Sequence, residues 1–189
     1  KGIGFLQQHL PELQFEWTNI IVPPAPVSLD ISNVDIPVDP LMSLHLLVLP
    51  FFTDGKVLLH GKWPEYVPHL HDIMDILHEF GLRISVGGGK ITSVMGKRPQ
   101  KLSIDITSCQ EYLPLVLAMS MGLRGECAIT LDTTREDVEN AQDLLENLGA
   151  GYAIEPGFLQ LGLAVAKKVN ESAWQSPDPY WTLAGALIS

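Results

Sequence analysis

The chain has 189 residues, 46% of them hydrophobic, and its 12 basic and 22 acidic side chains give a net charge of −10. This apolar content excludes a disordered chain, and so few basic residues argue against a surface for nucleic acid or for an anionic membrane. Two cysteines, Cys109 and Cys127, are too few for a disulfide framework, and no apolar run reaches the roughly 18 residues of a transmembrane helix, so we expect a cytoplasmic protein.

The first 26 residues have the pattern of the end of a structural unit. Gly4–Leu10 predicts the end of a helix, and Phe15–Thr18 with Ile20–Val22 predicts a hairpin that turns at Asn19. A stiff proline-rich linker follows over 23–26. Because residue 1 is Lys and no leader sequence follows it, we expect a fragment of a longer chain rather than a secreted precursor.

A first complete unit is predicted over residues 27–98 of a domain that spans 27–189. Its elements in chain order are strand Val34–Val38, helix Pro40–Phe52, strand Lys56–His60, helix Pro68–Phe80, and a hairpin of Leu82–Val86 with Lys90–Val94. The second helix carries apolar residues at helical spacing, and Pro40 takes the first helical position, where proline is favoured. Gly87-Gly88-Gly89 lies between two strands and does not fit a phosphate-binding loop, so it predicts a hairpin turn.

A second unit over 99–165 repeats this plan, and residues 166–189 begin a third. The predicted elements are strand Leu102–Ile106, helix Glu111–Met121, strand Glu126–Leu131, helix Glu136–Leu148, a hairpin around Gly157, and a final helix Asp178–Ile188. Three anchors recur in one order, at offsets of 70, 70 and 68 residues: Val34-Asp35-Ile36 with Ile104-Asp105-Ile106, Gly55 with Gly125, and Gly81 with Gly149. The predicted fold class is α/β, with tandem βαβαββ units whose helices pack on one face of the sheets.

These units resemble the enolpyruvyl transferase family, of the 5-enolpyruvylshikimate-3-phosphate synthase type. Residues 132–137 followed by Leu144–Ala150 are similar to the family's Arg-x-Lys-Glu-Thr-Asp-Arg helix, which ends in Leu-x-x-Leu-Gly-Ala. Ile104–Ile106 with Tyr112–Leu115 resembles the preceding strand and helix, and Ser176–Tyr180 falls where the family has Asn-Asp-His-Arg. The resemblance implies the family's C-terminal domain, with its units in a pseudo-threefold arrangement like that of RNA 3′-terminal cyclases.

The resemblance also implies an activity, that of a 3-phosphoshikimate 1-carboxyvinyltransferase in aromatic amino-acid biosynthesis. Such a transferase moves the enolpyruvyl group of phosphoenolpyruvate to shikimate-3-phosphate, in a cleft between this domain and a second, N-terminal one. The implied catalytic residues are Glu111, Arg135, Glu136 and Asp178, and the implied substrate-binding residues are Ser108, Gln110 and Thr134. No cofactor and no metal are expected.

The chain departs from the family pattern at several of these positions. Counting back from Gly149, the family's catalytic Glu falls on Thr134, and a slip of one or two residues puts Arg135 and Glu136 in its active-site roles. Pro179-Tyr180 replaces the family's His-Arg. These departures and the acidic balance suggest an alternative function, a non-catalytic binding module derived from the fold. A third interpretation, an RNA-end cyclase-like protein, is disfavoured by the few Lys and Arg residues.

Structural interpretations compete with functional ones at four places. Thr133 with Glu136, or Thr134 with Asp137, would form a capping box at a helix start, and we favour this role for the threonines. For His69, His71 and His78 with Asp75, a solvated helix face is favoured over a metal site.

The basic cluster consists of Lys97, Arg98 and Lys101, and a solvated loop is favoured there over a phosphate site. The aromatic residues near the unit ends either contact a partner or are buried. They are Trp63, Trp174, Tyr180 and Trp181.

Overall fold

The computed structural model describes residues 14–16, 19–21, 39–63, 67–123, 125–162 and 174–188. The predicted helix end at 4–10, linker at 23–26 and strand at 34–38 lie outside the described residues. The chain divides into two compact units, Lys1–Ile36 and Pro37–Ser189. None of the helices within the described ranges has the length and apolar character needed to cross a membrane.

The first compact unit contains a short antiparallel hairpin of β1 (Gln14–Glu16) and β2 (Asn19–Ile21). Glu16 pairs with Asn19 across the two strands. Asn19 is therefore the first residue of β2, and the prediction that the chain turns at Asn19 is wrong. The turn residues of a hairpin lie between its paired positions, so a residue that pairs with Glu16 is part of the strand.

The second compact unit begins with two helices, α1 (Pro40–Leu47) and α2 (Leu49–Thr53), where one helix over Pro40–Phe52 was predicted. Pro50 explains the break, because it has no N–H to donate and its ring clashes with the carbonyl four residues earlier. The start of α1 is as predicted. Pro40 stands at its first turn, and the Asp39 side chain accepts a hydrogen bond from the Met42 N–H at 2.9 Å.

A three-stranded antiparallel sheet follows, in the order β3-β5-β4. Its elements and the helix that connects them are β3 (Lys56–His60), α3 (Leu70–Glu79), β4 (Leu82–Gly87) and β5 (Lys90–Met95). Gly87 pairs with Lys90, so Gly88 and Gly89 form the turn, with φ angles of 58° and 70°. Two successive positive φ angles are typical of the type I′ turn that joins twisted strands, and the predicted hairpin is confirmed.

The rest of the compact unit is a four-stranded sheet with its helices. In chain order these are β6 (Lys101–Asp105), a 3₁₀ turn (Gln110–Tyr112), α4 (Leu113–Gly122), β7 (Glu126–Thr130), α5 (Glu136–Asn147), β8 (Tyr152–Glu155), β9 (Phe158–Leu161) and α6 (Pro179–Ile188). The strand order is β6-β7-β9-β8, with β6 parallel to β7 and the other pairs antiparallel. In β7-β9-β8, as in β3-β5-β4, the strand that comes last in the chain lies between the other two.

The core of this compact unit is built around α4, which is buried along its length from Leu113 to Ser120. It lies against α2, α5 and α6. Each sheet adds one apolar face, because alternate strand residues such as Ile91, Ile129 and Leu159 are fully buried. The aromatic residue Trp181 of α6 is 2% exposed, so burial rather than partner contact is correct at that position.

Candidate functional site

The loops after β6 and β7 form the candidate site. The two strands are parallel, with Asp105 opposite Thr130, so both loops leave the same edge of the sheet. Ligands in open α/β sheets bind outside the carboxyl ends of the strands. Ser108 lies in the first loop, and Gln110 and Glu111 are in the 3₁₀ turn that follows it. Thr134 and Arg135 lie in the second loop, directly before Glu136 at the start of α5. The fold thus brings six of the seven predicted site residues to one edge.

The buried side chain of Gln110 ties the two loops together. Its Nε2 donates to the carbonyl oxygen of Asp132 at 3.0 Å, and its Oε1 accepts from the Asp132 N–H at 2.9 Å. Gln110 is 1% exposed. Because both ends of the amide are occupied, Gln110 fixes the spacing of the loops and does not present its amide to a ligand.

An aspartate with a threonine two residues later shapes each loop. Asp105 accepts hydrogen bonds from the backbone N–H (2.9 Å) and hydroxyl (2.7 Å) of Thr107. Asp132 accepts the same pair from Thr134, at 3.0 and 2.7 Å. These hydrogen bonds lower the pKa of both carboxyl groups. Two fixed negative charges therefore flank the site.

The start of α5 does not have the predicted capping box. Arg135 is the residue that precedes the helix, and no side chain caps it. Thr134 gives its hydroxyl to Asp132, whereas the hydroxyl of Thr133 accepts from the Gly157 N–H at 3.4 Å. The capping prediction is wrong because Asp132 and the β8–β9 turn compete for the two hydroxyl groups.

Arg135 and Glu136 are the exposed charged residues at this start. The Arg135 Nη2 lies 3.1 Å from Oδ2 of Asp137, so the guanidinium is already paired within its own turn. The Glu136 carboxylate makes no hydrogen bond or ion pair within the described residues. It lies in the first turn of α5, where the helix dipole favours a negative charge.

The loop after β6 also contacts the start of α3. Ser108 Oγ donates to Asp72 Oδ2 at 3.2 Å, and His69 Nδ1 lies 3.3 Å from the same oxygen. His69 has φ 54°, a left-handed conformation that is uncommon for a residue with a side chain. Sequence analysis missed Asp72 as part of the site, because only the three-dimensional fold brings it to Ser108.

Asp178, the seventh predicted residue, has a different setting. Its carboxylate accepts from the N–H groups of Tyr180 (2.7 Å) and Trp181 (3.0 Å) and so caps α6. Next to it, His45 of α1 stacks on Tyr180, with ring centroids 6.1 Å apart. No hydrogen bond or ion pair within the described residues joins Asp178 to the loops after β6 and β7.

Several other polar groups considered from the sequence, His71, Arg98 and Lys101 among them, have structural partners. His71 Nδ1 lies 3.0 Å from Asp75 Oδ2, and no group of three or more His, Cys, Asp or Glu side chains in the described ranges could hold a metal ion. Arg98 is not simply solvated, because it donates to the Phe51 carbonyl and, at 3.0 Å, to Asp54. Lys101 pairs with Glu126 at 2.9 Å. Burial raises the pKa of the Cys109 thiol to about 11.

Comparison with known proteins identifies the class of fold. The chain matches no protein-family model and no curated protein. It is similar to the structure of the enolpyruvyl transferase NikO from Streptomyces tendae, with a TM-score of 0.61 and 16% identity over 81% of this chain and 36% of that one. The fold is therefore of the enolpyruvyl transferase type, and the predicted α/β fold class is confirmed.

Two solved structures of EPSP synthase from Acinetobacter baumannii give similar values. The TM-scores are 0.56 and 0.55, with 15% and 14% identity over 82% of this chain and 37% of each of those. This chain thus spans little more than a third of the length of the structures that it matches. At these identities the likeness defines the fold, and the activity is a separate question.

Proposed function

We propose that this chain forms one domain of a carboxyvinyl transferase that moves the enolpyruvyl group of phosphoenolpyruvate to shikimate-3-phosphate. The observation that carries the proposal is the bridge from Gln110 to Asp132. In a fold of the enolpyruvyl transferase type, this bridge holds Glu111 close to the loop of Arg135 and Glu136. The proposed site therefore combines carboxylates with a guanidinium at one sheet edge.

The proposed roles follow from the reaction. A carboxylic acid group protonates C3 of phosphoenolpyruvate, and the acceptor hydroxyl gives its proton to a carboxylate as its oxygen bonds to C2. The tetrahedral intermediate then loses a C3 proton to a carboxylate and expels phosphate. Glu111 and Glu136 supply the carboxylates for proton transfer, and Arg135 binds a phosphate or carboxylate group. The hydroxyl oxygens of Ser108 and Thr134, whose protons go to Asp72 and Asp132, accept hydrogen bonds from the substrate. Asp178 is a further carboxylate at the start of α6, and Gln110 is a positioning residue.

The remaining parts of the proposal concern the whole protein. The chain covers 36–37% of the similar structures, so we place its substrates in a cleft with a second, N-terminal domain. The shared strand order of β3-β5-β4 and β7-β9-β8 supports two consecutive copies of one structural unit. A cytoplasmic location, a place in the shikimate pathway and a reaction without a cofactor belong to the same proposal.

The alternative function is a binding module without catalysis. The observation that favours it is the charge of the site, where Asp105 and Asp132 stand beside a guanidinium that Asp137 already neutralises. Such a site attracts anionic substrates poorly unless a second domain contributes further Lys and Arg residues.

The test is phosphate release from phosphoenolpyruvate and shikimate-3-phosphate by the full-length gene product. We expect turnover, and we expect the Arg135→Ala, Glu136→Ala double variant to lose at least about a hundredfold, as removal of paired catalytic groups does. Lys101→Ala with Glu126→Ala is the matched control, because it removes one cation and one carboxylate at the opposite ends of the same strands. It should keep wild-type turnover.

Two results would contradict the proposal. One is the absence of turnover together with no calorimetric heat for either substrate, which would leave the binding-module alternative. The other is equal loss of activity in the site variant and in the control, which would place the chemistry outside the loops after β6 and β7.

A further inference from the structure

A groove of about 490 Å³ lies where α3 ends and β4 begins. Its lining residues are His78, Gly81, Leu82, Arg83, Ile84 and Lys97. None of these residues is acidic, and three have side chains that can carry a positive charge. In a chain with a net charge of −10, this concentration of basic side chains is unusual.

Two glycines allow the groove to form. Gly81 has φ 92°, and its carbonyl oxygen accepts from the Gly96 N–H at 2.8 Å. A Cβ atom on Gly81 would overlap the Lys97 carbonyl, and one on Gly96 would lie 2.7 Å from the Gly81 oxygen. The Cβ atom on Gly96 would also lie 3.2 Å from Nε of Arg83. The backbones thus meet closely enough to bring Arg83 and Lys97 to one groove.

Arg83 and Lys97 have no carboxylate partner within the described residues. The Lys and Arg side chains that do form ion pairs there are Arg98, Lys101 and Arg135. Lys56 adds to the positive charge, because it is opposite Val94 and Val94 is opposite Arg83, so the three share one face of the sheet. Strands β3, β4 and β5 contain no acidic residue that could neutralise these side chains.

We propose that this groove binds a small molecule that carries two or more negative charges, as a phosphorylated metabolite does. The planar guanidinium of Arg83 can bind an anionic group through two hydrogen bonds, and Lys97 adds a flexible positive charge. His78 supplies a further ring N–H.

This groove is separate from the loops after β6 and β7. Asp72, near the start of α3, contacts Ser108, whereas His78 is in the last turn of the same helix. Six residues along a helix separate Asp72 from His78, a rise of about 9 Å, so the two places are near opposite ends of α3. The proposal therefore does not depend on the transferase activity.

The experiment is a titration of the chain with pyrophosphate at low ionic strength, followed by amide NMR. Saturable shifts are expected at Gly81, Arg83, Gly96 and Lys97. The Arg83→Ala, Lys97→Ala variant should bind at least about tenfold more weakly, a loss of roughly 1.4 kcal/mol. The control is Lys62→Ala with Lys90→Ala, which changes the net charge equally at exposed positions outside the groove and should bind within about twofold of wild type.

Two outcomes would overturn the proposal. Equal weakening in the two double variants would show attraction to net charge alone. Shifts that do not saturate by about 10 mM pyrophosphate would show no site. Circular dichroism checks that each variant is folded. If the variant with two alanines is unfolded, Arg83→Lys takes its place as the test. It keeps the charge but loses the planar group, so it should bind pyrophosphate more weakly than wild type.

Discussion

At the scale of single residues, Gln110 controls the spacing of the two loops at the candidate site. Replacing it by alanine would remove both hydrogen bonds to the Asp132 backbone and leave a cavity where the buried amide lies. We expect Gln110→Ala to lower the free energy of unfolding by about 2–4 kcal/mol, measured by urea denaturation.

Gln142→Ala is the control for this change. Gln142 is exposed, and its amide donates to Glu146 across one turn of α5 at 2.9 Å. Its removal should change the free energy of unfolding by less than about 0.5 kcal/mol. Similar losses in the two variants would show that the bridge to Asp132 is not a principal stabilising contact.

Asp132 shows why the residues of the candidate site were only partly predictable. The pattern of Asp with Thr two residues later is visible in the sequence after both β6 and β7, and it is typical of a side chain that accepts from the backbone. Thr134 of the second pattern also fitted a capping box with Asp137, and its neighbour Thr133 fitted one with Glu136. Which partner a hydroxyl chooses depends on the positions of Asp132 and Gly157 in the fold, and the sequence does not contain those distances.

At the scale of helices and strands, the contact of α1 with α6 contains a buried titratable group. His45 is 4% exposed, its Nδ1–H donates to the Leu41 carbonyl oxygen at 2.8 Å, and its Nε2 has no hydrogen-bond partner within the described residues. Burial lowers its pKa, opposed by the Leu41 carbonyl, the Asp178 carboxylate and the backbone of Tyr180. The contact therefore favours a neutral ring.

This neutral ring predicts a dependence of stability on pH. In the unfolded chain, His45 binds a proton as the pH falls below its ordinary pKa of 6.5. In the folded chain the pKa of His45 is lower, so the ring binds that proton only at a lower pH. The contribution of His45 is thus complete above pH 6.5 and is lost as the pH falls below it. We expect the free energy of unfolding to fall more steeply between pH 7 and 5 in wild type than in His45→Gln, by at most about 1.4 kcal/mol per pH unit.

The control for this prediction is His71→Gln. The His71 side chain is 87% exposed, so the variant should keep the wild-type slope. Urea denaturation at a series of pH values measures all three proteins. Parallel curves for wild type and His45→Gln would contradict a neutral His45 in the folded chain.

Local sequence patterns predicted most helices and strands but not all of their limits. Strand Lys56–His60 was predicted with its observed ends, because Gly55 precedes it and its pattern is short and regular. The break between α1 and α2 was missed because the apolar run from Leu41 to Phe52 concealed the effect of Pro50. Arg98 shows the same limit, since its bonds to Phe51 and Asp54 join residues more than forty positions apart in the chain.

At the scale of the whole molecule, burial is concentrated on α4 and on the strands next to it. Eight consecutive residues of α4, Leu113 to Ser120, are buried, and β7 lies between β6 and β9. We expect the amides of α4 and β7 to exchange with solvent only through global unfolding, and those of the β4–β5 hairpin to exchange much faster. Native-state hydrogen exchange measures this order.

Fast hydrogen exchange at α4 would contradict this prediction. If the amides of α4 exchanged as fast as those of the exposed turn, the centre of the compact unit would open without unfolding the rest. Added urea should accelerate exchange at α4 in proportion to the surface exposed on unfolding and leave the turn nearly unaffected.

The Gly88–Gly89 turn indicates where this chain can grow longer. A Cβ atom at either glycine would meet nothing within 4 Å. A longer connection there costs mainly closure entropy, about 0.6 kcal/mol for each doubling in length. The Pro156–Gly157 turn is held by one more hydrogen bond. The Gly157 carbonyl accepts from the Leu131 N–H, as the Gly89 carbonyl accepts from the Gly61 N–H, but the Gly157 N–H also donates to Thr133. Insertions acquired in evolution, or an epitope added by an experimenter, belong at the first turn and not at the second.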